Sequence, residues 1–132
     1  MKTRIWTLLF SRPDLWRWAF WLYTGVLTGF LLWPRLTLPP VMPRPDLLVH
    51  GLAFGLLTLF FCLWNPARHH SPLRTAALAF AFGTAFGGIT ELLQQIPVLN
   101  RTGAWDDWGA DVFGVVCGIL SFGLLRVWPR AA

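Results

Sequence analysis

The chain has 132 residues, of which 55% are hydrophobic and 13% charged, with a net charge of +5. A water-soluble domain carries about 25% charged residues, so this composition argues for a chain solvated by lipid, and the length allows one compact unit. The basic residues lie between apolar runs and form no patch that would suit nucleic acid; anionic lipid is the better partner for them.

In chain order, four runs approach the roughly 20 residues needed to cross a bilayer. No secretory signal is expected before them, because the first run starts late, is too long for a signal core and lacks a small-residue cleavage site. That run is predicted over 15–33, opened by "SRPD", where Ser11 or Asp14 can cap and Pro13 suits a first helical turn. The second is predicted over 47–64, after the proline-rich "WPRLTLPPVMPRPD". The third covers 75–96 and the fourth 108–128, where Pro129 stops it. A soluble protein of 15.0 kDa has too little interior to hide four such runs as buried amphipathic helices. The expected fold is therefore all-α, an integral membrane bundle of four transmembrane helices in a single domain, 1–132. Cys62 and Cys117 both sit inside apolar runs, so neither a disulfide framework nor a cysteine-only zinc site is expected.

Lys and Arg accumulate on the cytoplasmic side of a membrane protein. Lys2, Arg4, Arg12, Arg17, Arg68, Arg74, Arg126 and Arg130 fall on the side shared by both termini, against Arg35, Arg44 and Arg101 on the other. Both termini are expected in the cytoplasm. The acids lean the other way: Asp46, Glu91, Asp106, Asp107 and Asp111 all fall at outer span ends or in outer loops. Tryptophans mark both interfaces, Trp16, Trp18, Trp64 and Trp128 inside and Trp33, Trp105 and Trp108 outside.

Residues three, four and seven apart share a helix face. In the third span Gly83, Gly87, Glu91 and Gln94 make one such stripe, and in the fourth Asp107, Asp111, Gly114 and Gly118 make another. Each contains G-x-x-x-G, a spacing that lets helix backbones approach closely in lipid. The two stripes are expected to pack on each other, bringing their carboxylates together near the outer surface. Asp46 and His50, one turn apart, join from the second span.

An ionised acid within a span costs several kcal/mol unless it is paired, hydrated or protonated. Glu91 therefore needs a donor, and Arg101 and His50 are the candidates. Taken alone, Glu91 with Gln94 reads equally well as a clamp between helices. The gathering of the whole set at one membrane face favours a site. Gln95 is expected among lipid headgroups, Asp106 as a solvated loop acid, and His69 and His70 as surface residues of the cytoplasmic loop.

These residues resemble the VanZ-like family of small bacterial membrane proteins. The family pattern reads here as Glu91-Leu-Leu-Gln94, then "LNRTG" with Arg101, then "DWGADVFG" with Asp107, Ala110, Asp111 and Gly114. Asp46 and His50 in "PDLLVHGLAFG" match the earlier motif, so the resemblance covers roughly 46–118. Leu47 stands where the family often has lysine and Asp111 where asparagine is frequent, which leaves Arg101 and His50 to balance more negative charge. The resemblance implies a role in the cell envelope, the family's namesake being associated with low-level resistance to the glycopeptide teicoplanin.

The first functional reading is a binding protein that modulates the envelope. Its ligand-binding set is Asp46, His50, Glu91, Gln94, Arg101, Asp107 and Asp111, holding the head of a membrane lipid or a lipid-linked cell-wall precursor. Arg101 suits a phosphate, since its planar donors bind two oxygens at once. The second reading is an enzyme acting on a lipid, with Glu91, Asp107 and His50 as catalytic candidates in acid–base chemistry. Two carboxylates and a histidine also suit a divalent cation, yet no metal motif or cofactor signature is present, and neither a metal nor a cofactor is expected. A third reading, a small proton-coupled transporter, would want its acid nearer mid-membrane than Glu91. A homo-oligomer is compatible with all three.

Overall fold

The computed structural model describes residues 11–34, 45–65, 71–99 and 104–127. Lys2, Arg4, Arg35, Arg44, Arg68, His69, His70, Arg101, Trp128, Pro129 and Arg130 lie outside these residues. Four long helices run through the described chain: α1 Pro13–Leu31, α2 Pro45–Trp64, α3 Pro72–Gln94 and α4 Trp105–Val127, with a short 3-10 turn at Pro97–Leu99 before α4.

Local signals explain the ends. Three of the four helices open on proline, whose fixed φ and missing N–H suit a first turn. Ser71 caps α3, its hydroxyl accepting from the Arg74 N–H at 3.2 Å; α3 thus starts three residues before the predicted Thr75. The N-cap of α1 is Arg12, which makes no side-chain cap bond, so neither Ser11 nor Asp14 caps that helix. Asp14 instead lies in the first turn, where a negative charge complements the helix dipole. α4 has Asp106 and Asp107 in its first turn and Arg126 in its last, the favourable arrangement at both ends. Asp106 is thus a helical residue and not a loop acid, though it is exposed as expected.

α2, α3 and α4 are long and apolar enough to cross a membrane, with mean hydropathy of 2.1, 1.5 and 1.8 over their spans. About a third or less of each span is buried inside the protein, so most apolar side chains face outward, as lipid permits and water does not. Several hydroxyl groups within the helices are satisfied locally. Thr24, Thr28, Thr84 and Ser121 each donate to the carbonyl four residues back. Cys62 and Cys117 are both free thiols, the first buried and the second exposed.

The helices alternate in direction. Phe20 of α1 stacks on Trp64 of α2 at 5.2 Å, while Tyr23 donates its hydroxyl to the Ala53 carbonyl at 3.1 Å. An aromatic column of Phe61, Phe82 and Phe86 joins α2 to α3, with centroid separations of 5.3 and 5.8 Å. Phe20, Leu27, Leu31, Phe54, Leu57 and Val115 form the main apolar core. Cys62, Leu63, Ala79 and Phe122 form a second cluster toward the other end of the bundle.

The glycine stripes pack differently from expectation. α2 and α4 run parallel and make the closest helix pair. A Cβ on Gly114 would collide with the Gly51 carbonyl oxygen, and one on Gly118 would stand 2.5 Å from the Gly55 carbonyl oxygen. The α4 glycines therefore seat the backbone of α2, not that of α3. Gly83 and Gly87 of α3 do face α4, but they receive side chains: a Cβ there would lie 2.5 Å from Val115 Cγ2 and 2.8 Å from Asp111 Oδ2. Backbone-to-backbone approach needs small residues on both facing surfaces. α2 supplies them as Gly51 and Gly55, a third G-x-x-x-G, whereas α4 turns Val115 and Asp111 toward α3.

Gly114→Leu is expected to destabilise the bundle by about 1–3 kcal/mol or more, as overpacking does, because the colliding atom is backbone. Gly123→Ala, with nothing within 4 Å of its new methyl, should melt like the parent. Thermal unfolding of the detergent-purified protein checks both; equal melts for Gly114→Leu and wild type would remove the seam from the account.

Candidate functional site

The site forms where the parallel pair α2 and α4 meets the last turn of α3. Gly51 and Gly114 bring the backbones together one residue after His50 and three after Asp111. That closeness puts the His50 imidazole, which donates through Nδ1, 2.8 Å from Asp111 Oδ1. His50 is 5% exposed and Asp111 is fully buried. Opposite them, the absent side chain of Gly87 leaves the space that Asp111 Oδ2 faces. One turn further along α3, Glu91 is 5% exposed and accepts the Ala104 N–H on Oε2 at 2.8 Å.

One ligand-capable atom from each of His50, Glu91 and Asp111 lies within 4.8 Å of the other two. Asp107, also buried, stands within electrostatic reach of both His50 and Glu91. Among the described residues, no hydrogen-bond donor reaches Glu91 Oε1 or Asp111 Oδ2. A buried polar atom left without a donor costs about 1–3 kcal/mol, and more when it is charged. These two oxygens are the largest unmet demand at this end of the protein.

Charge is segregated along the bundle. The arginines among the described residues, Arg12, Arg17, Arg74 and Arg126, stand at the starts of α1 and α3 and the end of α4. Asp46, Glu91, Asp106, Asp107 and Asp111 occupy the opposite end. Asp14, at the arginine end, lies 3.7 Å from Arg17 in an exposed pair.

The remaining predicted residues separate into two groups. Asp46 is half-buried one turn before His50 on the same helix. Gln94 is buried, but its amide donates to the Leu31 carbonyl at 3.0 Å. It thereby satisfies one of the orphan carbonyls at the end of α1 and ties α3 to α1. Of the two donors expected for Glu91, Arg101 lies outside the described residues and His50 hydrogen-bonds Asp111 instead; the partner seen on Glu91 is the backbone of Ala104.

A shallow cleft opens beside Glu91, lined also by Gly88, Leu92, Gln95, Ala104, Trp105 and Trp108. Trp108 fixes one wall by donating its indole N–H to the Thr84 carbonyl at 3.1 Å. The indole passes over Gly88, where a Cβ would stand 3.4 Å from Nε1. Trp105 packs edge-on against Trp108 at 6.0 Å. Sequence reasoning assigned these tryptophans to the interface and missed the clamp. It also missed Gly51 and Gly55, although "GLAFG" directly follows His50 and repeats the G-x-x-x-G spacing used elsewhere in the chain.

No family model, curated protein or solved structure matches this chain.

His50→Leu is expected to destabilise the protein by about 3 kcal/mol or more, because it strands a buried carboxylate. His50→Leu combined with Asp111→Leu should recover part of that loss, since the unpaired charge is gone. Thermal melts of the two variants check this, and a double variant no more stable than the single one would speak against the pair.

Proposed function

We propose that this chain is a four-span bacterial inner-membrane protein of VanZ-like type whose polar end binds the headgroup of an envelope lipid or a lipid-linked cell-wall precursor. The observation that carries the reading is the cluster of His50, Asp111, Glu91 and Asp107, buried at one end of an apolar bundle and adjoining a tryptophan-walled cleft. Lipid has no water to solvate such groups, so they are retained at a cost unless they hold something. Tryptophan favours the level of the headgroups, which supports placing the cleft there. Acids and imidazole suit amines and sugar hydroxyls, and Arg101, on the segment just before α4, suits a phosphate.

The fourth span is α1. Its outward face carries Trp18, Leu22, Val26 and Phe30, all exposed and spaced one turn apart, which fits contact with lipid. The arginines at the opposite end of the bundle support a cytoplasmic position for that end and hence for both termini. Reporter fusions or impermeant cysteine labelling at the loops check this topology: labels at 38–42 and 101–103 should react from outside, and labels at 67–70 should not. The reverse pattern would overturn it.

The His50–Asp111 hydrogen bond favours a second reading, acid–base catalysis on a lipid, because a carboxylate on Nδ1 orients imidazole and fixes its tautomer. Turnover across a panel of envelope lipids, lost in His50→Gln, would support it over simple binding.

Lipid extracted from the purified protein decides the main proposal. Wild type is expected to retain a defined envelope lipid or precursor, identified by mass spectrometry. Glu91→Ala and Arg101→Ala should insert normally yet lose that lipid by about tenfold or more, the equivalent of at least about 1.4 kcal/mol. Identical lipid profiles in all three proteins would sink the idea.

A further inference from the structure

We infer that His50, Glu91 and Asp111 form a binding site for one divalent transition-metal ion of the Zn2+ or Mn2+ kind. This goes beyond headgroup binding and does not depend on it. Three observations meet at these residues. The first is chemical: one imidazole and two carboxylates offer the nitrogen and oxygen donors that such ions take. The second is geometric. One donor atom from each residue lies within 4.8 Å of the others, whereas two ligands on opposite sides of an ion at about 2.1 Å stand about 4.2 Å apart. A small side-chain rotation therefore closes the set onto one ion. The 2.8 Å between His50 Nδ1 and Asp111 Oδ1 suits neighbouring ligands on a single ion at that bond length, the ion displacing to solvent the proton that the two atoms share in the hydrogen bond.

The third observation is the unmet demand. Glu91 Oε1 and Asp111 Oδ2 belong to side chains at least nine-tenths buried, and no donor among the described residues reaches either oxygen. Glu91 Oε2 is already held by the Ala104 N–H, which orients the carboxylate and leaves Oε1 for the ion. Such hydrogen bonds to a ligating side chain are the usual way a metal site fixes the orientation of its ligands. Gly87 keeps the space beside Asp111 Oδ2 open, since a Cβ there would stand 2.8 Å away.

Charge balance agrees. The two carboxylates bring two negative charges into the bundle, and the described arginines are at its other end. One dication neutralises them where an apolar surround penalises every uncompensated charge. Glu91 also walls the cleft beside Trp105 and Trp108. Three protein ligands leave at least one coordination position free, and the cleft is the route by which a water or ligand oxygen would reach it.

The experiment uses the full chain, purified in phospholipid-free detergent with any affinity tag removed, stripped with chelator and titrated with Zn2+, Mn2+ or Co2+. The expected result is one equivalent bound per chain, a saturable rise in melting temperature, and visible Co2+ absorption bands from nitrogen and oxygen ligation. His50→Gln, Glu91→Gln and Asp111→Asn should each weaken binding by about tenfold or more, while Asp14→Asn, at the other end, leaves it unchanged. Should Asp111→Asn fail to fold, His50→Gln and Glu91→Gln still decide the matter. No stoichiometric ion in the wild type, or binding that survives both of these substitutions, overturns the inference. So does binding that appears only in Arg101→Ala, because the arginine would then be the native counter-charge. A failure of this kind leaves headgroup binding standing, since that is read separately from the co-purified lipid.

Discussion

The backbone contact between α2 and α4 sets the geometry of the rest. Gly51 and Gly55 face Gly114 and Gly118 so closely that a methyl group on either α4 glycine would meet a carbonyl oxygen of α2. In lipid, helices gain little from hiding apolar surface, and close packing with interhelical hydrogen bonds takes over that task. A seam of four glycines lets the two backbones approach most closely and sets the register of the two helices. His50 directly precedes the first glycine of its pair, and Asp111 lies three residues before the first of its own. Their 2.8 Å contact is thus a consequence of the seam.

The other helices are added by side chains reaching neighbouring backbone. Tyr23 ties α1 to α2 through the Ala53 carbonyl, Gln94 ties α3 to α1 through that of Leu31, and Trp108 ties α4 to α3 through that of Thr84. Each long side chain carries a donor to an acceptor within the apolar bundle. The α3 glycines complete this arrangement by making room for α4 side chains, Gly83 for Val115 and Gly87 for Asp111. These long side chains are spent on cohesion; at the acidic end, by contrast, Glu91 Oε1 and Asp111 Oδ2 find no donor among the described residues.

That exception separates a clamp from a site. A polar group kept only to fasten helices satisfies itself in doing so, as Gln94 does. Glu91 fastens the segment before α4 with one oxygen and holds the other in reserve. Asp111 does the same with respect to His50. On the two proposals made above, a metal ion would meet this demand within the cluster, and a lipid headgroup would occupy the neighbouring cleft.

Much of this was legible in the residues. Apolar run length announced α2, α3 and α4, and proline and the residues around it marked most of their beginnings. The i, i+4 and i, i+3 steps put Glu91, Gln94, Asp107 and Asp111 on coherent faces, and the clustering of acids at one end followed from loop order alone. These are local properties, decided by helix periodicity and by the length of chain a bilayer requires. The choice of partner was not local. The stripes on α3 and α4 looked alike, yet α4 turned its glycines to "GLAFG" of α2; α3 carries the same spacing, so the motif alone does not name the partner. Gln94 shared a stripe with Glu91 but met the end of α1, since three residue steps of about 100° each leave the two side chains about 60° apart around the helix. The sequence by itself determined that this protein consists of apolar helices with an acidic end. Only the tertiary structure decided which acids meet His50, which polar groups are used up as clamps and which oxygens remain open, because those depend on how helices distant in sequence pack.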